Sequence, residues 1–481
     1  MSTNDIFIDN AILDEIVEKV ETHANKKYKE YKQPAIDMIE EYITKYNLIV
    51  YGYMAMKELL NTKKITKEDS YMLNMTPQQD VYYNCYSIKG RKNVGDLIKN
   101  LQKLNYRPIR SNVIHGANNV RCQIKIGEYN RGLVIIEIVH ITPYEYNKLI
   151  KTSVKIKKGN STMNIISPLI VKIQLLNRLI DPLSGFEEWK RFYMYKLIFD
   201  KYYNDYNIFK GDNRKILSKR INKVPKIFRI IEWIIFYNLD DQFMFLGNYI
   251  YKMYVDKAKK YRNLNVPNVY KYTITAKDAD GLANKIVNIL KKNSIISTPM
   301  GKYTIKLDRH IINDLEIKKY DSTIDLIDQK FIIKLGKKVL LDIYQLPSYC
   351  IPYLRTLNIR NYPPKKVDIN ISNYYVLLRY YYGLLWDNYV NLTPKNSNFV
   401  NHLEGIIKNV IYCRENYLKY HRELGIEKNN IFKVFNSKCL STDGLYTDIA
   451  AHNVKLWEYK KKLTREEYNK IKSMCQPINN I

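Results

Sequence analysis

The chain has 481 residues, enough for two or three domains with cores of their own, and 46% of them are hydrophobic, which excludes a disordered scaffold. Its formal net charge is +30, from 78 Lys and Arg against 48 Asp and Glu, so the expected partner is a polyanion such as nucleic acid. Six cysteines (Cys85, Cys122, Cys350, Cys413, Cys439 and Cys475) contain no C-x-x-C pair and no histidines cluster near them, which argues against structural zinc. No run of about 18 apolar residues occurs, and a cytosolic protein with reduced thiols and no membrane contact is expected.

Residues 10–46 read as helical, with Ile36, Ile39, Ile43 and Tyr46 on one stripe. An apolar strand through Leu48, Ile49 and Val50 then runs into Tyr51-Gly52-Tyr53-Met54-Ala55 and a short helix at 54–61. A polar connection over 62–76 leads to an aromatic-rich strand, Asp80 to Ile88. Val94 to Leu104 makes an amphipathic helix, and Val120 to Ile126 forms a hairpin with Leu133 to Val139. These elements predict a mixed sheet with helices packed against it.

The character changes after Pro143. A short helix at 143–151, a basic turn at Lys155-Ile156-Lys157-Lys158-Gly159 and a helical region from Pro168 precede a long helix at 186–203. Residues 210–262 are strongly basic and read as largely helical. A second α/β unit begins near Ala276, with a helix at 279–292, a strand at 303–307 and a hairpin of 331–334 with 338–343; it echoes the order of the first without an acid motif. Residues 368–421 read as helices, whose tyrosines (Tyr374, Tyr375, Tyr380, Tyr381 and Tyr382) are assigned to the core. The organisation expected is a mixed-sheet domain over 1–145, a basic helical region over 146–270 and an α/β plus helical domain over 271–481.

Strand, glycine turn, helix and acid-bearing strand is an order that places a triphosphate over two divalent ions. Glycine lets backbone N–H groups approach phosphate, and acids two residues apart project from one face of a strand. Here Gln78-x-Asp80 stands where Asp-x-Asp would. Glu137, central in the apolar run Leu133 to Val139, fits a third acid on a neighbouring strand, because a charge there is costly unless paired. A partner-binding signal lies in Lys210 to Arg229, where Lys215, Lys219 and Lys223 recur every four residues beside Arg220 and would form one basic stripe on a helix.

With those residues in view, the chain resembles the poly(A) polymerase catalytic subunits of large cytoplasmic DNA viruses, of the giant-virus and African swine fever virus type, with poxvirus enzymes more distant. The resemblance rests on Leu48 to Met56, on Pro77-Gln78-Gln79-Asp80-Val81-Tyr82, and on Glu137, Pro143 and the Asp181-Pro182-Leu183 region following in the family's order. It implies an α+β fold, a polymerase-beta-like nucleotidyltransferase domain followed by helical segments and a second α/β domain. It also implies adenylyl transfer from ATP to an RNA 3′ end with Mg2+ or Mn2+, in the host cytoplasm at the viral factory, with packaging in the virion a further option. By resemblance Asp80 and Glu137 are the catalytic and metal-binding acids, Gln78 is the degenerate catalytic position, and Gly52 and Tyr53 bind nucleotide; the basic stripe of Lys215, Lys219, Arg220 and Lys223 is the expected RNA contact.

Gln78 replaces the first acid and Tyr53 the second glycine, so the reading adopted is an attenuated or inactive RNA-binding member, pairing with itself or with an active relative. Two alternatives stay open: a fully active enzyme that uses Asp80 and Glu137 with an unrecognised third acid, and a structural protein without enzymatic activity.

Overall fold

The computed structural model describes residues 19, 30–75, 81–115, 119–127, 133–158, 161–180, 186–203, 226–237, 239, 243–258, 271–292, 295–297, 304–306, 313–321, 329–346, 351–361, 364–391, 393, 397–424 and 438–439. The chain divides into two compact units, 1–171 and 172–481. Each is built on one mixed sheet.

In the first unit, helix α1 (30–45) buries Ile36, Ile39 and Ile43 as its period predicts, while Tyr46 lies past its end and is exposed. Strand β1 (Ile49–Tyr51) turns into α2 (Gly52–Asn61), and α3 (Lys67–Met75) occupies much of the expected polar connection. The Thr66 hydroxyl starts α3 by accepting from the Asp69 N–H at 3.2 Å, a capping interaction. Then follow β2 (Val81–Ser87), α4 (Gly90–Lys103), β3 (Ile109–His115), β4 (Asn119–Ile126), β5 (Leu133–His140), α5 (Pro143–Thr152), β6 (Val154–Lys158) and β7 (Ser161–Ile165). Helix α5 begins with a full capping box between Thr142 and Glu145, with proline at its first turn. The strand order is β3-β4-β5-β2-β1-β7-β6. β2 runs parallel to β5, and β1 lies antiparallel to β2 and parallel to β7.

The second unit takes most of α6 (Pro168–Ile180), then α7 (Phe186–Tyr202), α8 (Lys226–Tyr237), β8 (Phe243–Leu246), α9 (Asn248–Ala258), β9 (Tyr272–Ala276) and α10 (Ala279–Lys292). A small two-stranded sheet, β10 (Ile295–Ser297) with β11 (Thr304–Lys306), precedes β12 (Leu315–Asp321), β13 (Gln329–Leu335), β14 (Lys338–Gln345), β15 (Pro352–Asn361) and β16 (Pro364–Ser372). Helices α11 (Tyr374–Val390) and α12 (Ser397–Leu424) and the short β17 (Lys438–Cys439) complete the described chain. All five tyrosines assigned to the core from sequence are buried in α11, which Asn373 caps by accepting from the Val376 N–H at 2.9 Å.

The second sheet runs β12-β13-β14-β9-β8-β16-β15-β17. Strand for strand it repeats the first: β8 is antiparallel to β9 as β1 is to β2, β9 parallel to β14 as β2 is to β5, and β8 parallel to β16 as β1 is to β7. The echo read from the sequence is thus a shared topology.

Three expectations change. Lys155 to Lys158 is strand rather than turn, because Val154 and Ile156 alternate with lysines and pair along β7. Within 146–270, the described residues give β6 and β7 to the first sheet and β8 to the second, and the chain divides into its compact units at 171. Residues 352–361 and 364–372, the last few of them expected to be helical, form the long β15–β16 pair.

Glu404 on α12 is 4% exposed, and its Oε1 makes no hydrogen bond among the described residues. Burial raises its pKa, opposed by Lys408. A raised folded-state value favours the protonated form, so this site costs stability once pH rises above the unfolded carboxyl range near 4.3. Glu404→Gln is therefore expected to be more stable than the parent at pH 7.5, by about 1 kcal/mol, with the advantage shrinking towards pH 4 in thermal scans across pH.

Candidate functional site

β1 ends in a turn that only glycine serves well. Gly52 has φ +73°, a conformation that strains any residue with a side chain, and a Cβ there would sit 3.1 Å from Asn84 Nδ2, which would have to give way. Tyr51, just before it, pairs with Asn84 on β2; Asn84 pairs with Glu137 on β5, and Glu137 with Gln123 on β4. Residues directly paired across strands share a face. Tyr51, Asn84, Glu137 and Gln123 therefore form one row across four adjacent strands.

Glu137 is the centre of that row and is 4% exposed. The Tyr51 hydroxyl donates to Glu137 Oε1 at 2.8 Å, and the Gln123 amide donates to Oε2 at 2.8 Å. Both carboxylate oxygens are thereby engaged by neutral donors, which is how a buried charge is tolerated in an apolar strand. The Tyr51 ring also stacks on Tyr86, with centroids 4.1 Å apart, and so covers this part of the row. Tyr53 turns elsewhere: its hydroxyl donates to the Leu73 carbonyl of α3 at 3.0 Å.

The opposite side of β2 carries a second polar cluster. The Tyr83 hydroxyl donates to Glu40 Oε1 at 2.5 Å, and Lys158 Nζ lies 2.7 Å from the same oxygen and 3.4 Å from Glu58 Oε1. Burial, then the bond to Glu40, pushes the Tyr83 phenol far up. Burial alone would lower the Lys158 ammonium, but Glu40 and Glu58 hold it above its usual value. One lysine between two glutamates ties α1 and α2 to β6, and the cluster reads as structural.

Of the residues expected to form the site, Gly52, Tyr53 and Glu137 are described, and only Gly52 and Glu137 come together, through Asn84. Gln78 and Asp80 lie outside the described residues, as do Lys215, Lys219, Arg220 and Lys223. Sequence reading missed Tyr51, Asn84 and Gln123 as partners of Glu137. A polar amide inside each of two strand patterns was the available signal.

Two divalent ions need several oxygen ligands each, conventionally from three carboxylates. In register with Glu137 on β2 stands Asn84, flanked two residues away by Tyr82 and Tyr86, so this row offers one carboxylate, two amides and phenols. Among the described residues no group of three or more His, Cys, Asp or Glu side chains could hold a metal. The described row does not fit a two-ion centre.

A mixed sheet of this strand order, with a glycine turn leading from its central strand into a helix and an acid on the strand parallel to β2, defines an α+β fold of the nucleotidyltransferase type. No protein-family model and no curated protein matches the chain. Among solved structures, the crystal structure of the Megavirus polyadenylate synthase is similar, with a TM-score of 0.66 at 16% identity, over 99% of this chain and 91% of that one. The fold expected from the viral poly(A) polymerase resemblance is borne out. No helix among the described residues is long and apolar enough to cross a membrane.

Proposed function

We propose that the chain acts in viral mRNA 3′-end polyadenylation as a poly(A)-polymerase-type protein that binds RNA but is catalytically attenuated or inactive. The fold shared with a polyadenylate synthase supports the process, and the row around Glu137 supports the catalytic state. With Asn84 beside it and both oxygens held by Tyr51 and Gln123, Glu137 acts as an anchor of the sheet rather than as a metal ligand. The +30 charge supports an RNA partner, with Lys215, Lys219, Arg220 and Lys223 as its contacts. ATP and Mg2+ or Mn2+ would then be used by an active partner chain, in the host cytoplasm.

The direct test is ATP incorporation onto an oligo(A) or oligo(U) primer by the purified chain and its Asp80→Ala variant. Neither is expected to extend the primer above background; robust extension that disappears in Asp80→Ala would overturn the inactive reading. RNA affinity is a separate expectation. It should fall by about 10³-fold between 50 and 200 mM salt if roughly six phosphates are neutralised, and the salt slope should shrink by about three in a Lys215→Glu, Lys219→Glu, Lys223→Glu variant. Filter binding across a salt series measures both, and an affinity indifferent to salt would remove RNA from the reading.

A further inference from the structure

The second sheet repeats the layout of the first site with a different charge arrangement. β8 ends at Leu246, Gly247 with φ +67° leads into α9, and a Cβ on Gly247 would lie 3.3 Å from Thr273 Oγ1. Leu246 pairs with Thr273, Thr273 with Asp342, and Asp342 with Ile332. These are the counterparts of Tyr51, Asn84, Glu137 and Gln123. A single acid, Asp342, thus holds the register of Glu137.

The two acids are neutralised in different ways. Glu137 receives hydrogen bonds from its row neighbours, whereas Leu246 and Ile332 have none to give. Asp342 is 5% exposed, and its Oδ1 makes no hydrogen bond among the described residues. An uncompensated carboxylate in that setting is strongly destabilising. The compensation is Lys271, whose Nζ lies 2.6 Å from Asp342 Oδ2, with Lys330 Nζ at 3.6 Å from the same oxygen. Lys271 stands two residues before Thr273, the counterpart of position 82 in the first unit. In a nucleotidyltransferase sheet, the acids that meet the third carboxylate across an ion are likewise spaced two residues apart on the neighbouring strand.

We infer that the Lys271 ammonium is the resident cation of the second sheet, standing in for a divalent ion, so that this sheet is a metal-free copy of the nucleotidyltransferase core. Lys330 is the lesser partner: it is farther from the carboxylate, and burial lowers its pKa. Lys271 reaches the acid from a side chain that is 37% exposed, so its charge keeps part of its hydration.

The test uses the full chain with Mn2+ as the probe, counted by electron paramagnetic resonance, alongside thermal unfolding in EDTA. Lys271→Met should lower the melting temperature by about 5 °C or more, and adding Asp342→Asn to it should restore most of that loss. The double variant should bind as many Mn2+ ions as the parent, while Lys271→Asp, which faces one carboxylate with another, should bind one more and be stabilised by it. A Mn2+ ion lost in the double variant would show that a true metal occupies Asp342 and would overturn the inference. So would a double variant no more stable than Lys271→Met, or a folded Lys271→Asp that gains no ion. Metal binding by the first unit does not enter the comparison, because it is common to every variant.

Discussion

Replacing Tyr82 and Asn84 together by aspartate is expected to give divalent-dependent ATP incorporation onto an oligo(A) primer at least about 100-fold above the parent chain. The double variant places one aspartate at 84, in register with Glu137, the one carboxylate of the described row, and a second two residues before it on β2. Charge repulsion among the three acids should make the apo variant less stable than the parent in EDTA, with recovery in Mg2+ or Mn2+, so that ion binding is read independently of turnover. Gln78→Asp is the informative contrast. Gain of activity in that variant and none in the Tyr82→Asp, Asn84→Asp chain would place the acid positions at 78 and 80, as the family resemblance implies, rather than at 82 and 84.

The largest stability loss is expected from Asp200→Asn. In the second unit, Asp200 on α7 joins Lys172 of α6 at 3.0 Å through Oδ1 and Lys196 at 2.7 Å through Oδ2. Burial by itself would raise the carboxyl pKa, but the two ammonium groups hold it below the ordinary range, while burial lowers that of Lys172. Removing the carboxylate leaves two buried cations without it, at a cost of about 3 kcal/mol. A depressed carboxyl pKa contributes stability above the unfolded value near 3.9, and that contribution is lost as pH falls through the folded value. The deficit of Asp200→Asn should therefore be full at pH 7 and fade below about pH 4. Denaturant titrations at the two pH values measure it, and a deficit independent of pH would mean that the ion pairs are not its source.

Alternation and composition made several elements legible. The β1–glycine–α2 turn, the amphipathic α4, the β4–β5 hairpin and the buried tyrosines of α11 all follow from local pattern. Among the strands that sequence missed, β8 and β6 have patterns that are ambiguous alone. β8 is four apolar residues, Phe243 to Leu246, too short to separate from its helical surroundings, and β6 mixes lysines with Val154 and Ile156. Both become strands because other strands pair with them, β7 with β6 and both β9 and β16 with β8.

By itself the sequence determined that Glu137 would be an isolated acid in a buried strand, and that a glycine turn would stand opposite an aromatic strand. Which residue meets that acid was decided only by tertiary structure. Positions 78, 80, 82, 84 and 86 are all of one parity along the chain, so the period of two cannot choose among them, yet each step of two residues moves a side chain by about 6.6 Å. The pairing of β2 with β5, residues 84 and 137 being far apart in sequence, sets Asn84 against Glu137. The same long-range register sets Thr273 against Asp342 and brings Lys271 to that carboxylate. Local sequence supplies side chains and their spacing, whereas contacts between distant strands choose the partners, and the chemistry of both sheets depends on that choice.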